Sequence, residues 1–392
     1  MSPSAVALAV LLAFSTVLAS SAAAATENGQ PTFAALAASA NAMRAPAPGL
    51  TSSTRLPAPK GAGPDVRRIR YRYGPVEVKP GANWINVGAI TAAQKPARDG
   101  FITRIRPDMV LANGKVPPSS EVMFHHGVWL NASRRDATSP GLPERFFAAG
   151  EEKTILTLPD GYGYPVKARD RWLMNDMVHN LTSKRLRVYI TYDLDFVPAA
   201  SATGRRTKPV TPVWMDVQNG SSYPVFDVKR GSGRGGRFTY PDQASRAYGD
   251  GAPENVWTAD RSGTLVATSG HLHSGGLWTD LSIDRDGRRP VRLFRSRARY
   301  FEPAGPVSWD VSMTATRPDW RVRVRRGDRL RISATYETRR ASWYESMGIM
   351  VTYMAGGAGG PDPFARPGRI DTTGEITHGH LHENDRHGGG EA

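Results

Sequence analysis

The sequence contains no cysteine among its 392 residues, and this absence removes several kinds of chemistry. Disulfide bonds, lipid attachment through a cysteine and metal sites built on thiolates are all excluded. The fold must therefore be held together by buried apolar side chains. The chain exceeds the usual size of one core, so we expect two domains.

Long apolar runs are also lacking after the N-terminus, so no later segment is a candidate membrane span. The run Ala5 to Ala19 is short and apolar, and the alanine-rich stretch behind it offers a cleavage site. We assign 1–25 as an export signal and expect a secreted or extracytoplasmic chain without a stable membrane anchor. An uncleaved anchor is the alternative, because no Lys or Arg precedes Arg44.

Acidic residues are too few to balance the basic ones. The 51 Lys and Arg residues against 36 Asp and Glu give a net charge of +15, which can indicate nucleic-acid binding. Here the arginines alternate with apolar residues, as in 285–299 and 317–329, and no recognition motif accompanies them. We interpret them as solvent-facing strand residues and predict no nucleic-acid partner.

Helical periodicity of useful length is missing after the signal, whereas two-residue alternation recurs, as in Arg68–Tyr73, Phe101–Arg106 and Leu186–Tyr192. Such alternation with aromatic and β-branched residues predicts half-buried strands, so the fold class is all-β. The composition divides the chain further. The predicted parts are a flexible lead at 26–64, a first β-sandwich at 65–200, a second β-sandwich at 209–355 and a Gly- and His-rich tail at 356–392.

The nine histidines are clustered, and imidazole is a common ligand of copper, zinc, iron and nickel. His271 and His273 lie two apart on a predicted strand, so they share a face and can converge on one ion, although such pairs are often surface pairs. His125 and His126 are neighbours, and a strand turns neighbours to opposite faces unless it carries a bulge. Otherwise they are one core and one surface residue. His179 alone reads as a core histidine.

The tail carries His378, His380 and His382 at a spacing of two, with His387 following. It could add a strand and bind an extra metal ion, act as a mobile scavenging tract, or pack against the second domain. Met347 lies in a strand-like run, and by itself a methionine there is most simply a core residue.

Several segments, taken in order, resemble the copper type II, ascorbate-dependent monooxygenases, which include peptidylglycine α-hydroxylating monooxygenase and dopamine β-monooxygenase. The resemblance covers most of 65–355. The segments that carry it are Gly100–Pro107, His125-His126, Leu158–Tyr164, Val178-His179, His271-Leu272-His273, Leu281–Arg295, Gly327-Asp328, Tyr336-Glu337-Thr338 and Glu345-Ser346-Met347. A further resemblance, to the stress-up-regulated nodulin-like proteins, rests on Thr157–Pro165 and Thr377–Leu381.

The resemblance implies two tandem antiparallel, jelly-roll-like sandwiches with a copper site in each, facing a cleft. It implies one copper bound by His125, His126 and His179, which stores an electron. It implies a second, catalytic copper bound by His271, His273 and Met347, which binds O2 and attacks a substrate C–H bond. A thioether favours Cu(I), while three imidazoles suit both oxidation states. The implied partners are a small-molecule substrate and an external, ascorbate-like reductant.

Two departures concern the substrate. Peptide-amidating members carry Arg and Tyr where this chain has Ser269 and Val351, so a peptide carboxylate is not the expected substrate. The first hypothesis is a copper- and O2-dependent monooxygenase of an unknown, apolar or neutral small molecule. The second is a non-catalytic extracytoplasmic protein that binds and buffers copper. The third is a structural double sandwich whose histidines bind nothing.

Overall fold

The computed structural model is nearly all-β and built from large antiparallel sheets. It describes residues 26–27, 30–31, 51–85, 91–218, 225–245 and 255–378. The predicted export signal at 1–25 lies outside these residues. Within them, no helix is long and apolar enough to cross a bilayer.

Strands are numbered in chain order. Those of the first half are β1 (Thr26–Glu27), β2 (Gln30–Pro31), β3 (Thr51–Leu56), β4 (Arg67–Val78), β5 (Asn83–Ile85), β6 (Thr91–Ala93), β7 (Gly100–Leu111), β8 (Val122–Arg135), β9 (Pro143–Gly150), β10 (Leu156–Thr157), β11 (Tyr162–Val166), β12 (Trp172–Asn180) and β13 (Leu186–Pro198).

A helix, α1 (Ala202–Arg206), follows, and two 3-10 turns occur later, at Gly305–Val307 and Pro367–Arg369. The strands of the second half are β14 (Lys208–Asp216), β15 (Phe226–Val228), β16 (Arg237–Tyr240), β17 (Val256–Thr258), β18 (Gly263–Leu272), β19 (Gly276–Asp284), β20 (Val291–Tyr300), β21 (Val311–Ala315), β22 (Val322–Val324), β23 (Arg329–Glu337), β24 (Trp343–Ser346), β25 (Gly348–Gly356) and β26 (Glu375–Ile376).

The first half contains two sheets with a common core. One runs β3–β4–β13–β7 and continues to β10 and β11, while the other runs β5–β12–β8–β9 with β6 also on β12. Ile105 and Ile190 of the first sheet share one apolar cluster with Phe124 and Trp172 of the second. The prediction of a flexible lead over 26–64 is wrong for Thr51–Leu56, which pairs along β4.

The strands of the second half form two sheets that are joined where β20 pairs with β21. One sheet runs β14–β25–β18 and extends to β21 and β22, and the other joins β16 and β17 through β23 to β19 and β20. Because side chains alternate along a strand, β25 sends Met350 and Met354 into the core of the second half. On the other face of β25, Ile349, Val351 and Tyr353 enter the core of the first half.

The two halves therefore share continuous apolar packing. The Tyr353 hydroxyl donates to the Phe146 carbonyl at 2.7 Å, and β11 pairs in parallel with the start of β14. The polar connection between the halves forms α1, whose first turn is capped by the Ser201 hydroxyl, which accepts from the Gly204 N–H. The functional candidates lie at this junction.

The start of the tail predicted at 356–392 is packed against the rest of the chain. β26 pairs with Thr314 and Ala315 of β21, and the Ile155 N–H donates to the Thr377 hydroxyl at 3.2 Å. Ile370 is buried in the core of the second half. β26 ends before the histidine-bearing segment 377–382, of which the structure describes Thr377 and His378, so the three alternatives for that segment stay open. His380, His382 and His387 lie outside the described residues.

Candidate metal centre

A β-bulge brings His125 and His126 to one side of the junction. On β12, Met177 pairs with His126 and Val178 pairs with Phe124, so His125 is the extra residue on β8. A bulge of this kind re-aims a side chain that regular alternation would turn away. The irregularity that joint use of both histidines requires is therefore present. β8 runs from Val122 to Arg135, so the pair lies near the beginning of this strand.

The rings of both predicted ligand sets meet. The centroid of His125 lies 4.4 Å from that of His179 and 5.4 Å from that of His126. The centroids of His271 and His273 are 5.1 Å apart, and the distance from His125 to His273 is 4.1 Å. We call these five histidines, together with Glu151 and Glu152, the junction cluster. All seven side chains belong to buried residues, at most 9% exposed.

The Nδ1 atoms of three rings are held by oxygen atoms. His125 Nδ1 lies 2.6 Å from Glu151 Oε1, and His271 Nδ1 lies 3.0 Å from Glu152 Oε2. His273 Nδ1 lies 2.5 Å from the Glu345 carbonyl oxygen. A carbonyl only accepts, so His273 carries its proton on Nδ1 and leaves a lone pair on Nε2. Imidazoles that bind metals are commonly oriented in this way.

The Nε2 atoms are the test of whether a metal fits. Those of His125, His179, His271 and His273 are buried and have no hydrogen-bond partner among the described residues. Buried polar atoms in folded proteins are nearly always paired, so four such atoms in one place call for an explanation. A bound metal ion satisfies them, since imidazole nitrogen is a ligand for copper and zinc.

Burial sets the protonation of the rings. Loss of hydration lowers the pKa of His125 to about 3 and that of His179 to about 4, with a further contribution from neighbouring histidines. For the same reasons the pKa values of His126 and His273 lie well below the usual 6.5. Neutral imidazole is the form that binds a metal, so these rings are in their ligand form at neutral pH.

The pKa values of His271 and Glu151 are raised, not lowered. Burial acts to lower the pKa of His271, but the Glu152 carboxylate beside it outweighs burial and raises the pKa. Burial also raises the pKa of Glu151 well above its ordinary value, although the neighbouring His271 opposes the rise. Burial therefore favours the protonated form of Glu151.

Met347 is connected to His273 through one hydroxyl group. Tyr336 Oη accepts from the His273 N–H at 3.1 Å and from the Met347 N–H at 3.0 Å, and it donates to the Met347 carbonyl at 2.6 Å. Both residues are buried, and Met347 packs in the core of the first half. The predicted thioether ligand thus has a backbone fixed relative to one of its predicted partners.

Glu345 provides a strained backbone at the same place. Its φ of 52° lies in the left-handed region, which a residue with a side chain adopts at a cost of order 1–3 kcal/mol. Its carbonyl oxygen is the acceptor for His273 Nδ1, whereas its side chain is exposed. The strain is therefore tied to the orientation of a candidate ligand.

Trp309 and a small cavity lie against two sides of the cluster. Trp309, from the second half, packs edge-on against His125 at 5.6 Å and against His179 at 6.4 Å. Beside His271 lies a cavity of about 20 Å³, close to the volume for one water molecule, whose lining includes Ser269 and Val351.

No protein-family model matches this chain, and no curated protein matches it. Among solved structures, a Trp-to-Tyr variant of oxalate decarboxylase from Bacillus subtilis aligns with 78% of this chain and 75% of its own, at 5% identity and a TM-score of 0.14. A TM-score this low carries no argument about fold or function. The junction cluster is therefore interpreted from its own geometry.

The tightest group of candidate ligand atoms was not expected from the sequence. Among the described residues, Glu151, Glu152 and His271 place one ligand atom each within 4.8 Å of the others. The predicted set of His125, His126 and His179, all within the described residues, does not place its ligand atoms within 4.8 Å of one another. The acid pair follows an apolar strand at a turn, where adjacent glutamates ordinarily face solvent, so the sequence gave little reason to choose it.

His378 also reaches the cluster. Its Nε2 contacts the carbonyl oxygen of Glu152, and its own carbonyl accepts from the Ser312 hydroxyl at 3.3 Å. Of the histidines proposed as an extra ligand set, this is the one that the structure describes. It lies against the backbone of the cluster.

Proposed function

We propose that this chain is a copper protein of the copper type II monooxygenase kind, built from two tandem jelly-roll-like sandwiches. His125, His126 and His179 would hold one copper, and a second ligand set would hold another. That second set consists of His271, His273 and Met347. The observation that carries the proposal is the buried group of imidazoles with oriented Nδ1 atoms and unpaired Nε2 atoms.

The ligand types favour copper over other metals. Neutral imidazoles suit copper in both oxidation states, and a thioether in the second set favours Cu(I). Zinc can bind the same imidazoles but does not change oxidation state, so it would not support O2 activation by electron transfer. Copper bound there would supply O2 activation and electron transfer, with an external reductant such as ascorbate.

The protein's own residues would orient the ligands and exclude water. Glu151, Glu152 and the Glu345 carbonyl orient three imidazoles, while Trp309 and the apolar walls exclude water from them. Ser269 and Val351 replace the charged and phenolic groups that would recognise a carboxylate, so the substrate is an uncharged small molecule. We also propose that the protein is exported, because its N-terminal sequence has the pattern of an export signal.

A second candidate is a non-catalytic protein that binds and buffers copper outside the cytoplasm. The small cavity beside His271 favours it, because about 20 Å³ accommodates a water molecule and not an organic substrate. Substrate-dependent O2 consumption with ascorbate separates the two candidates. Turnover supports the monooxygenase, and full copper content without turnover on any uncharged substrate supports the buffering protein.

The test of copper binding is elemental analysis after reconstitution with Cu(I). We expect about two coppers per chain in the native protein and about one in His273→Ala, because that ring belongs to the second set alone. A chain lacking 379–392 is the control, since it loses the tail histidines beyond His378 and keeps both sets. Unchanged stoichiometry in His273→Ala would contradict the proposal.

A further inference from the structure

We propose that a cavity at one end of the first half binds a small organic anion whose body is aromatic or aliphatic. The cavity has a volume of about 520 Å³, which lies in the range of pockets that hold a whole small-molecule ligand. We call it the arginine cavity, after Arg67 and Arg98 in its lining. None of its lining residues belongs to the junction cluster, so the proposal is independent of copper binding.

The arginine cavity has two walls. One is the face of β4 that carries Arg67, Ile69 and Tyr71, which alternate along the strand and so point to the same side. Phe196 of β13 pairs with Arg67 in the sheet register and extends this wall. The other wall is 93–98, the segment between β6 and β7. Because β6 pairs with β12 while β7 lies in the sheet of β4, this segment crosses from one sheet to the other, and the cavity lies between it and β4.

The crossing segment is fixed by hydrogen bonds to its neighbours. The Tyr192 hydroxyl donates to the Gln94 carbonyl at 2.7 Å, and the Lys95 ammonium donates to the Ala168 carbonyl at 2.7 Å. The ring of Tyr192 also stacks on that of Tyr71, with the centroids 5.3 Å apart, so one side chain contacts both walls. The cavity is therefore formed before a ligand binds, and less conformational freedom is lost during binding.

The charged side chains of the lining are all of one sign. They are Arg67, Lys95 and Arg98, and the lining contains no acidic residue. The side chains of Arg67 and Arg98 are exposed and form no ion pair or hydrogen bond within the part of the chain that the structure describes. An anion bound in the cavity would therefore meet two guanidinium groups that have no competing partner there.

The opposite face of β4 shows the contrast. There Arg68 and Arg70 each donate to both carboxylate oxygens of an acidic residue on β13, with a shortest distance of 2.7 Å in each pair. On the cavity face, the residue that pairs with Arg67 is Phe196, which has no charge. A guanidinium offers two parallel donors that match a carboxylate, so Arg67 retains this capacity for a ligand.

The rest of the lining supplies apolar surface and one hydroxyl group. Ile69, Phe196 and the ring of Tyr71 are its larger apolar groups. The Tyr71 hydroxyl has no hydrogen-bond partner among the described residues, and burial raises the pKa of Tyr71 to about 12, so the hydroxyl stays protonated and can donate. Apolar walls with a few polar groups select a ligand that has both a carboxylate and an apolar body, whereas an inorganic anion would use the arginines alone.

Titration calorimetry on the full-length protein without added copper tests the proposal, with α-naphthoate as the probe. We expect one molecule to bind per chain. The amide α-naphthamide, which has the same rings and no charge, should bind at least about tenfold more weakly. Absence of α-naphthoate binding up to millimolar concentration, or equal affinity for the acid and the amide, would overturn the proposal.

Variants locate the binding. Arg67→Gln and Arg98→Gln should each weaken α-naphthoate binding about tenfold and leave α-naphthamide unchanged, because each removes a charge. Ile69→Ala should weaken the binding of both probes, since it removes apolar contact. The matched control is Arg187→Gln, which removes an exposed arginine of β13 outside the cavity and should change neither affinity. Native α-naphthoate affinity in both cavity variants, or an equal loss in the control, would overturn the proposal.

Discussion

At the scale of single residues, the candidate centre depends on groups that bind no metal themselves. The Tyr336 hydroxyl forms three hydrogen bonds, two to Met347 and one to His273, all inside the protein. The Glu345 carbonyl performs a similar task for the His273 ring, from a strained backbone. Such groups hold the ligands in position before a metal binds. The entropy lost on ordering the ligands is then not lost during metal binding.

Removal of the Tyr336 hydroxyl should therefore affect both stability and copper. In Tyr336→Phe, buried N–H groups of His273 and Met347 lose their acceptor, so we expect the free energy of unfolding to fall by about 1–3 kcal/mol. Copper at the second set should bind more weakly. Urea unfolding and a Cu(I) competition titration measure the two effects.

The matched control is Tyr353→Phe, which removes another buried hydroxyl at the junction, one that donates to the Phe146 carbonyl. It should lower stability without changing copper affinity. Equal copper affinity in both variants would contradict the role given to Tyr336.

At the scale of elements, the meeting of β8 and β9 forms the cluster. The bulge at His125 and the turn after Gly150 lie side by side, since His126 pairs with Gly150. A side chain at Gly150 has no room: its Cβ would lie 2.4 Å from the His125 carbonyl oxygen and 2.6 Å from Cε1 of His271. The first of these contacts is with backbone and cannot be relieved by a rotamer change.

Gly150→Ala should consequently disturb the cluster through the backbone. We expect a loss of about 1–3 kcal/mol in the free energy of unfolding, the usual cost of overpacking, together with weaker copper binding. Gly127→Ala is the control, because its Cβ meets the Phe124 and Trp129 rings instead, the closest contact being 2.6 Å. It should lower stability and leave copper affinity unchanged. Similar copper affinity in the two variants would argue against a close approach of β9 to the centre.

At the scale of the whole molecule, the sequence predicted the kind of fold better than its arrangement. Alternation in β4, β7 and β13 predicted strands, because a period of two is local information. The shared core was not predictable in this way, since Ile349 and Met350 are both apolar and only the packed halves decide which core each one enters. The histidines were found by their clustering. Glu151, Glu152 and Trp309 were not, because their roles depend on contacts between distant segments.

The pH dependence of stability provides a test away from the metal centre, at Glu144 on β9. Burial raises the pKa of Glu144 to about 7, against the lowering effect of the Tyr164 hydroxyl, which donates to Oε1 at 2.6 Å, and of Arg134. The folded protein thus holds this proton more tightly than the unfolded chain, whose value is near 4.5. The resulting stabilisation is complete below about pH 4.5 and is lost as pH rises through about 7, an effect of about 3 kcal/mol. In Glu144→Gln the side chain cannot ionise, so urea unfolding of the metal-free variant should lack this dependence, whereas the exposed Glu121→Gln should keep it. If the native protein and Glu144→Gln showed parallel stability curves between pH 4.5 and 8, Glu144 would be ionised in the folded state at pH values well below 7.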